Sequence, residues 1–329
     1  MISLQRKHLI RVALTTLAVG LVLFGGLNYL AYKHARAMLC FGDGPGRTRR
    51  PEDLTFKEKT DAVFNGISIP RPVGDRAPTD LAPDAAVISI PSTDSATLAA
   101  WYVNRGPATP LMILFHGYTA EKTALLTEAR SCLELGASVL LVDFRGSGGS
   151  SEAYTTVGLL EADDVTASMH YAHDQLAHPC TVLFGQSMGA AAILRAVHTQ
   201  HIQPDGVILE AVFDTMLNTV CNRFELMHAP SFPSAQLLMF WAGRQWDVNS
   251  FAHKPVDYAA SLTCPVLFMH GTADPRAKLV EGRRVFEAAP EPKQFLAFEA
   301  VAHNAYVTAR PTQWKTAVAA LIEKAYEAK

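Results

Sequence analysis

The pentapeptide Gly185-Gln186-Ser187-Met188-Gly189 constrains this 329-residue chain more than any other stretch. It follows the apolar run Cys180-Thr181-Val182-Leu183-Phe184 and precedes Ala190-Ala191-Ala192-Ile193-Leu194-Arg195-Ala196. The first run reads as a buried strand and the second as a helix. A G-x-S-x-G between them predicts a sharp strand-to-helix turn that exposes its serine. The flanking glycines keep Cβ atoms away where neighbouring backbone passes closely. The helix N-terminus behind Ser187 offers unpaired N–H groups and a positive dipole end, where an oxyanion can be held. A glycine-rich turn before an ordinary helix has the same local look, so the rest of the chain must decide.

A serine hydroxyl is a poor nucleophile near neutrality and needs an adjacent base. An imidazole can take the proton and return it, and a carboxylate behind the imidazole fixes its tautomer. On a strand–helix scaffold of this kind the three follow in the order serine, acid, histidine. Downstream of Ser187, the strand Cys264-Pro265-Val266-Leu267-Phe268-Met269-His270 ends in Gly271-Thr272-Ala273-Asp274-Pro275. Asp274 thus falls in a loop at the C-terminal edge of a strand, where open α/β sheets gather ligand chemistry. A helical segment from Arg276 to Ala288 and the strand Lys293 to Phe298 follow, and then Val301-Ala302-His303-Asn304-Ala305. His303 lies just past the last strand, able to swing over the sheet edge. Among twelve histidines it has the position a catalytic base requires. Asp214, after the strand Val207-Ile208-Leu209-Glu210, is the rival acid.

Two N–H groups are expected to hold an oxyanion: that of Met188, after the nucleophile, and one from the loop after an earlier strand. Leu111-Met112-Ile113-Leu114-Phe115 is that strand, and the N–H of Tyr118 in His116-Gly117-Tyr118 is the candidate. His116 reads as a structural histidine bonding within its loop. Whether the Tyr118 hydroxyl also points into the site stays open.

Taken as an ordered set, these motifs resemble the α/β-hydrolase superfamily, and within it the Bem46-like and serine-aminopeptidase-type hydrolases, including membrane-anchored ABHD-type enzymes. The matching residues are Phe115-His116-Gly117-Tyr118, Asp143 to Ser150, Gly185 to Gly189, His270 to Asp274 and Ala302-His303-Asn304. The resemblance implies an α/β fold with an eight-stranded, mostly parallel sheet, helices on both faces and a small cap. It implies that Asp143 to Ser150 shapes a loop and that Arg145 is a structural ion-pair partner. Tyr118 stands where many relatives have a small residue or Asn. Asp274-Pro275-Arg276-Ala277 replaces the common Asp-x-x-Val-Pro. Both departures bear on the shape of the acyl pocket. The implied activity is cleavage of a carboxylic ester, possibly of a lipid, through an acyl-enzyme and without a cofactor or metal. A peptidase or amidase on the same three residues, and a non-catalytic binding protein with this fold, are the alternatives.

The N-terminus makes a separate statement. Val12 to Tyr32 is an uncharged stretch of 21 residues, long enough to cross a bilayer as a helix. Arg6, Lys7 and Arg11 precede it, and Lys33 and Arg36 follow. A cleaved signal peptide, with Ala35-Arg36-Ala37 as the site, is the rival. The stretch is longer than a usual signal core, which favours a tail over 1–11, an anchor over 12–32 and a linker over 33–85. The short tail favours a bacterial inner-membrane anchor with the enzyme outside the cytoplasm. Basic residues at both ends leave the charge rule undecided.

The remaining domain, 86–329, is large enough for one sizeable core. The linker is rich in Pro, Gly and charge, including Asp43-Gly44-Pro45-Gly46. Val87 to Ile90 and Thr97 to Val103 read as an antiparallel hairpin opening the domain. A net charge of −2 without a basic block argues against a nucleic-acid partner. Five scattered cysteines give neither a complete disulfide framework nor metal-ligand spacing. A cap insert is expected over about 211–262, and its aromatics and methionines either anchor it or line an acyl pocket. Phe240 and Trp241 are candidates for that lining. The expected partner is a small-molecule or lipid ester, with the membrane held through the N-terminal helix.

Overall fold

The computed structural model describes residues 2–42, 46–93, 96–303 and 305–327. Asp43, Gly44 and Pro45 of the linker motif and Asn304 of the last motif lie outside the described residues.

The chain opens with helix α1 (Ile2–Leu39), followed by α2 (Phe56–Asn65). Strands β1 (Ala86–Pro91), β2 (Thr97–Val103) and β3 (Leu111–Phe115) lead to α3 (Leu126–Glu134) and β4 (Ser138–Val142). Then come α4 (Glu161–Tyr171), β5 (Thr181–Gln186), α5 (Met188–Gln200) and β6 (Gly206–Glu210). Helices α6 (Met216–Met227), α7 (Ser234–Trp246) and the short α8 (Pro255–Tyr258) separate β6 from β7 (Val266–Gly271). The chain ends with α9 (Leu279–Ala288), β8 (Lys293–Phe298), α10 (Tyr306–Ala309) and α11 (Pro311–Glu327).

All eight strands form one sheet in the order β1-β2-β4-β3-β5-β6-β7-β8. The expected hairpin pairs β1 with β2 antiparallel, β2 pairs β4 antiparallel, and every other pairing is parallel. The central strands read as unbroken apolar runs because both faces are covered. Successive side chains go to opposite faces. Leu111, Ile113 and Phe115 of β3 join one core with Ile193 and Val197 of α5 and Val285 of α9. Met112 and Leu114 join the other with Cys132 of α3 and Trp314 and Leu321 of α11. The expected helix over 276–288 begins three residues late, at Leu279. Residues 276 and 277 lie before it and donate backbone N–H groups to the Asp274 side chain.

Helix α1 is longer than its apolar stretch. Residues 5–26 are exposed, and the helix continues without interruption past Tyr32 to Leu39. Residues 33–39, expected to begin a linker, are therefore helical. This last part packs on α7: the Tyr32 and Trp241 rings meet edge to face at 5.5 Å, and Trp241 Nε1 donates to Asn28 Oδ1 at 3.2 Å. Lys33 Nζ and His34 also bond the carbonyls of Asn65 and Val63 at the end of α2.

The loop after β4 is held by charge. Arg145 is buried and donates from Nη2 and Nε to the Asp164 carboxylate of α4, at 2.7 and 3.1 Å. Asp143 accepts from Lys122 Nζ at 2.5 Å and from the Lys122 and Gly149 N–H groups. Arg145 thus has the ion-pair role the resemblance implies. Removing one partner of a buried pair strands the other charge. Arg145→Ala is expected to cost about 3–5 kcal/mol of folding stability. Chemical denaturation checks this, and a loss below about 1 kcal/mol would contradict the structural role.

Candidate active site

Ser187 connects β5 to α5 with φ 53° and ψ −105°. Few non-glycine residues tolerate this conformation, and it persists only where the surroundings enforce it. The surroundings here are backbone. The Ser187 N–H donates to the Glu210 carbonyl of β6 at 2.7 Å. A Cβ at Gly185 would lie 2.5 Å from the Gly189 carbonyl carbon, and one at Gly189 would fall on the Phe115 carbonyl oxygen. Both glycines of the motif are thus steric requirements, one for the turn itself and one for its approach to β3. Ser187 is partly exposed at the top of the sheet.

Asp274 and His303 meet. His303 Nδ1 lies 2.6 Å from Asp274 Oδ2. The other carboxylate oxygen accepts the Arg276 and Ala277 N–H groups at 2.8 and 3.1 Å. Burial alone would raise the Asp274 pKa. The hydrogen bond and charge of His303 and the Arg276 N–H outweigh it and hold the carboxyl below its ordinary value. An ionised carboxylate only accepts, so Nδ1 carries the proton and Nε2 is left as an acceptor. The two loops are stitched together by Thr272 N–H to Phe298 O and Ala273 N–H to Val301 O, both at 3.0 Å. A Cβ at Gly271 would collide with the Val301 carbonyl, which explains the glycine in His270-Gly271. Among the described residues no hydrogen bond joins Ser187 to His303. Such contacts are often long in unliganded sites and tighten around substrate.

Asp214, the rival acid, is committed elsewhere. Its oxygens accept the Thr215 N–H, the Asn218 side-chain amide and Arg284 Nη1 at 2.6, 3.0 and 2.9 Å. His116 accepts the Phe144 N–H on Nε2 at 3.1 Å, so its Nδ1 donates to the Gly117 carbonyl at 2.8 Å. Burial pushes its pKa down, keeping it neutral and structural.

Gly117 brings its loop close to Ser187: a Cβ there would lie 3.7 Å from Ser187 Cβ. Tyr118 follows at once. Its N–H makes no backbone hydrogen bond among the described residues, and Met188, first residue of α5, has no acceptor within its helix. The Tyr118 hydroxyl does not point into the site. It donates to the Met38 carbonyl at the end of α1 at 2.6 Å, where burial raises its pKa. Phe240 and Trp241 are likewise corrected. Phe240 is about half exposed and Trp241 faces α1, so neither lines an internal pocket.

Three features had no sequence signal. The linker crosses the site's rim: Arg47 Nη1 donates to the Thr119 carbonyl at 3.1 Å, and Glu52 Oε1 accepts Arg276 Nε at 2.9 Å. Arg223 of α6 donates to the Arg276 carbonyl beside Asp274 at 3.1 Å. Behind the elbow, Glu210 is fully buried and accepts Trp314 Nε1 at 2.6 Å, while Glu128, also fully buried, has no partner for either oxygen. Burial, then the neighbouring carboxyl, raises the Glu210 pKa, and burial raises that of Glu128. Both favour the protonated form in the folded chain.

The fold is that of the α/β-hydrolases, and residues 106–237 match the family described as "Serine aminopeptidase, S33". An uncharacterized protein of Mycobacterium tuberculosis is 27% identical over 223 residues, 66% of this chain and 72% of that protein. The Pyrococcus furiosus esterase Pf2001 superposes with a TM-score of 0.65 at 22% identity, over 77% of this chain and 96% of that one. A bacterial membrane phospholipase A superposes with a TM-score of 0.52 at 16% identity, over 73% of this chain and 86% of that one.

The raised Glu210 pKa has a stability consequence. Between the ordinary value near 4.5 and the raised folded value, the unfolded chain binds fewer protons than the folded one. Stability from this group is therefore full below about pH 4.5 and is lost as pH rises through the folded pKa. Glu210→Gln keeps an acceptor for Trp314 and removes the titration. Thermal unfolding from pH 5 to 9 is expected to fall less steeply in the variant, and parallel curves would refute the assignment.

Proposed function

We propose that the protein is a serine ester hydrolase in which Ser187, His303 and Asp274 act in sequence. Ser187 Oγ attacks the ester carbonyl as His303 Nε2 takes its proton, and Asp274 stabilises the imidazolium. The Met188 and Tyr118 N–H groups hold the oxyanion. His303 then protonates the leaving alcohol, and water, activated by the same imidazole, releases the acid from the acyl-enzyme. The strained backbone of Ser187 between two sterically required glycines carries this reading, because strain of this kind persists where function uses it. The His303–Asp274 bond and the esterase among the fold's neighbours support it. The family match, described as an aminopeptidase, favours amide cleavage as the second reading.

We further propose that α1 anchors the protein. It is the one helix among the described residues long and apolar enough to cross a membrane, with a mean hydropathy of 2.0. With residues 1–11 on the cytoplasmic side, the catalytic domain lies outside the cytoplasm. The full chain is expected to stay with membranes through alkaline carbonate extraction.

With p-nitrophenyl esters, Ser187→Ala is expected to abolish turnover and labelling by a fluorophosphonate probe. Asp274→Asn is expected to lower kcat by about 10⁴-fold with folding preserved, because the wrong tautomer is presented to the serine. Turnover in Ser187→Ala equal to the parent's would sink the proposal. Amide turnover exceeding ester turnover, and lost in Ser187→Ala, would transfer the mechanism to the second reading.

A further inference from the structure

Charge beside the candidate site is unevenly matched. Three guanidiniums border its two loops: Arg276 in the loop of Asp274, Arg223 on the cap helix α6, and Arg47 in the linker. The carboxylates whose charge reaches Arg223 are Asp274 and Glu52. Both are committed, Asp274 to His303 and Glu52 to Arg276. The other acid on the outer face of α6, Glu225, pairs with Lys278. Among the described residues, Arg223 and Arg47 bond only backbone carbonyls and the Thr119 hydroxyl.

Arg223 touches both halves of the site. Its Nη1 donates to the Arg276 carbonyl at 3.1 Å, in the loop whose N–H groups hold Asp274. With Tyr118 it lines a small cavity between the end of α1 and the cap, and its charge reaches the Tyr118 hydroxyl. Arg47 arrives at the same loop from the linker, donating to the carbonyl and the hydroxyl of Thr119, one residue past Tyr118. Arg223 is partly buried, and its Nε and Nη2 donate to no group among the described residues. Burial, and after it the charge of Arg276, lowers its pKa to about 10, so the group is still charged near neutrality. Arginines withdrawn from water are ordinarily paired. This one instead has charge and two sets of donors to offer an anion. A guanidinium fork matches the oxygens of a carboxylate or phosphate, which a lone ammonium does not.

We propose that the ester carries an anionic group, a carboxylate or a phosphate, and that Arg223 binds it, with Arg47 adding positive charge from the linker. The proposal rests on the ester-hydrolase reading for the bond cleaved but not for the binding of the anion. A neutral ester meets the same Ser187, His303 and Asp274 and leaves Arg223 without a partner. Discrimination between the two therefore comes from one charged contact.

The test uses the full chain in non-ionic detergent micelles with two readouts. In the first, mono-p-nitrophenyl adipate, with a free carboxylate, is compared with its neutral methyl ester. The parent is expected to prefer the anionic ester in kcat/KM by about tenfold or more, as a hydrogen-bonded charge allows. Arg223→Gln is expected to remove that preference, Arg223→Lys to keep part of it, and Arg47→Gln to reduce it less than Arg223→Gln does. In the second, Ser187→Ala is titrated calorimetrically with monomethyl adipate and with glycerol 3-phosphate monobutyrate, which separates carboxylate from phosphate. Saturable binding of at least one is expected, lost when Arg223→Gln is added. Binding without ester turnover in the parent would overturn the ester reading and leave the anion site standing. If Arg223 only ties α6 to the loop of Asp274, Arg223→Gln lowers both esters alike and leaves binding of the anions unchanged, and that result would overturn the anion site. So would ester turnover with no anionic preference and no binding of either ligand.

Discussion

The contact on which the site depends is the approach of Gly189, at the start of α5, to the Phe115 carbonyl at the end of β3. No side chain fits between them. Because β5 pairs directly with β3, this contact fixes how the elbow turns and how near the next loop must lie. Gly117 and Tyr118 are carried to Ser187 by it. The positive φ of Ser187 is the cost of bringing a helix N-terminus that close to the sheet edge. The hydrogen bond from the Ser187 N–H to the Glu210 carbonyl holds the turn from the other side. Two strand ends, β3 and β6, thus clamp one residue of β5's continuation.

Much of this was legible in the sequence because the signals are local. Apolar runs covered on both faces identify the central strands. Glycines in His270-Gly271 and Gly185-x-Ser187-x-Gly189 mark places where backbone meets backbone, and chain order brings Asp274 and His303 into adjacent loops. What escaped is contact at long separation. The Tyr118 hydroxyl bonds a carbonyl 80 residues away and Arg47 bonds one 72 residues away, and neither leaves a periodic trace. The end of α1 reads as linker in the sequence because the uncharged apolar run stops at Tyr32 while the helix continues to Leu39. Residues 33–39 mix Lys33, His34 and Arg36 with Ala35 and Leu39, the pattern of a helix that leaves lipid and docks on protein. The placement of Phe240 and Trp241 escapes the sequence for a related reason. Composition places aromatics in the cap but does not say which face of α7 meets α1 and which meets the cavity.

Around the site, charge is arranged in two different ways. Asp274 has three donors within hydrogen-bond reach and stays ionised although buried. Glu210 and Glu128, a short distance behind the elbow, have few donors and are pushed toward neutrality. In the proposed reaction a charged Glu210 carboxylate behind Ser187 would oppose a developing oxyanion, whereas a neutral one would not. Burial without donors therefore reduces the negative charge behind the elbow.

The anchor and the cap complete the same logic. A cap helix resting only on the domain would be free to shift, since few core residues lie beneath it: Met216 and Met239 meet Phe213, Ala191 and Ala277 in a small separate cluster. Helix α1 supplies the missing support through Asn28 and Tyr32 against Trp241, and through Met38 against Tyr118. The donor loop of the site, the cap and the apolar helix are consequently one packed unit. The link between α1 and the loop of Tyr118 is a hydrogen bond from the Tyr118 hydroxyl to one of the last carbonyls of α1, so the helix that exposes the apolar run of 5–26 ends directly against that loop.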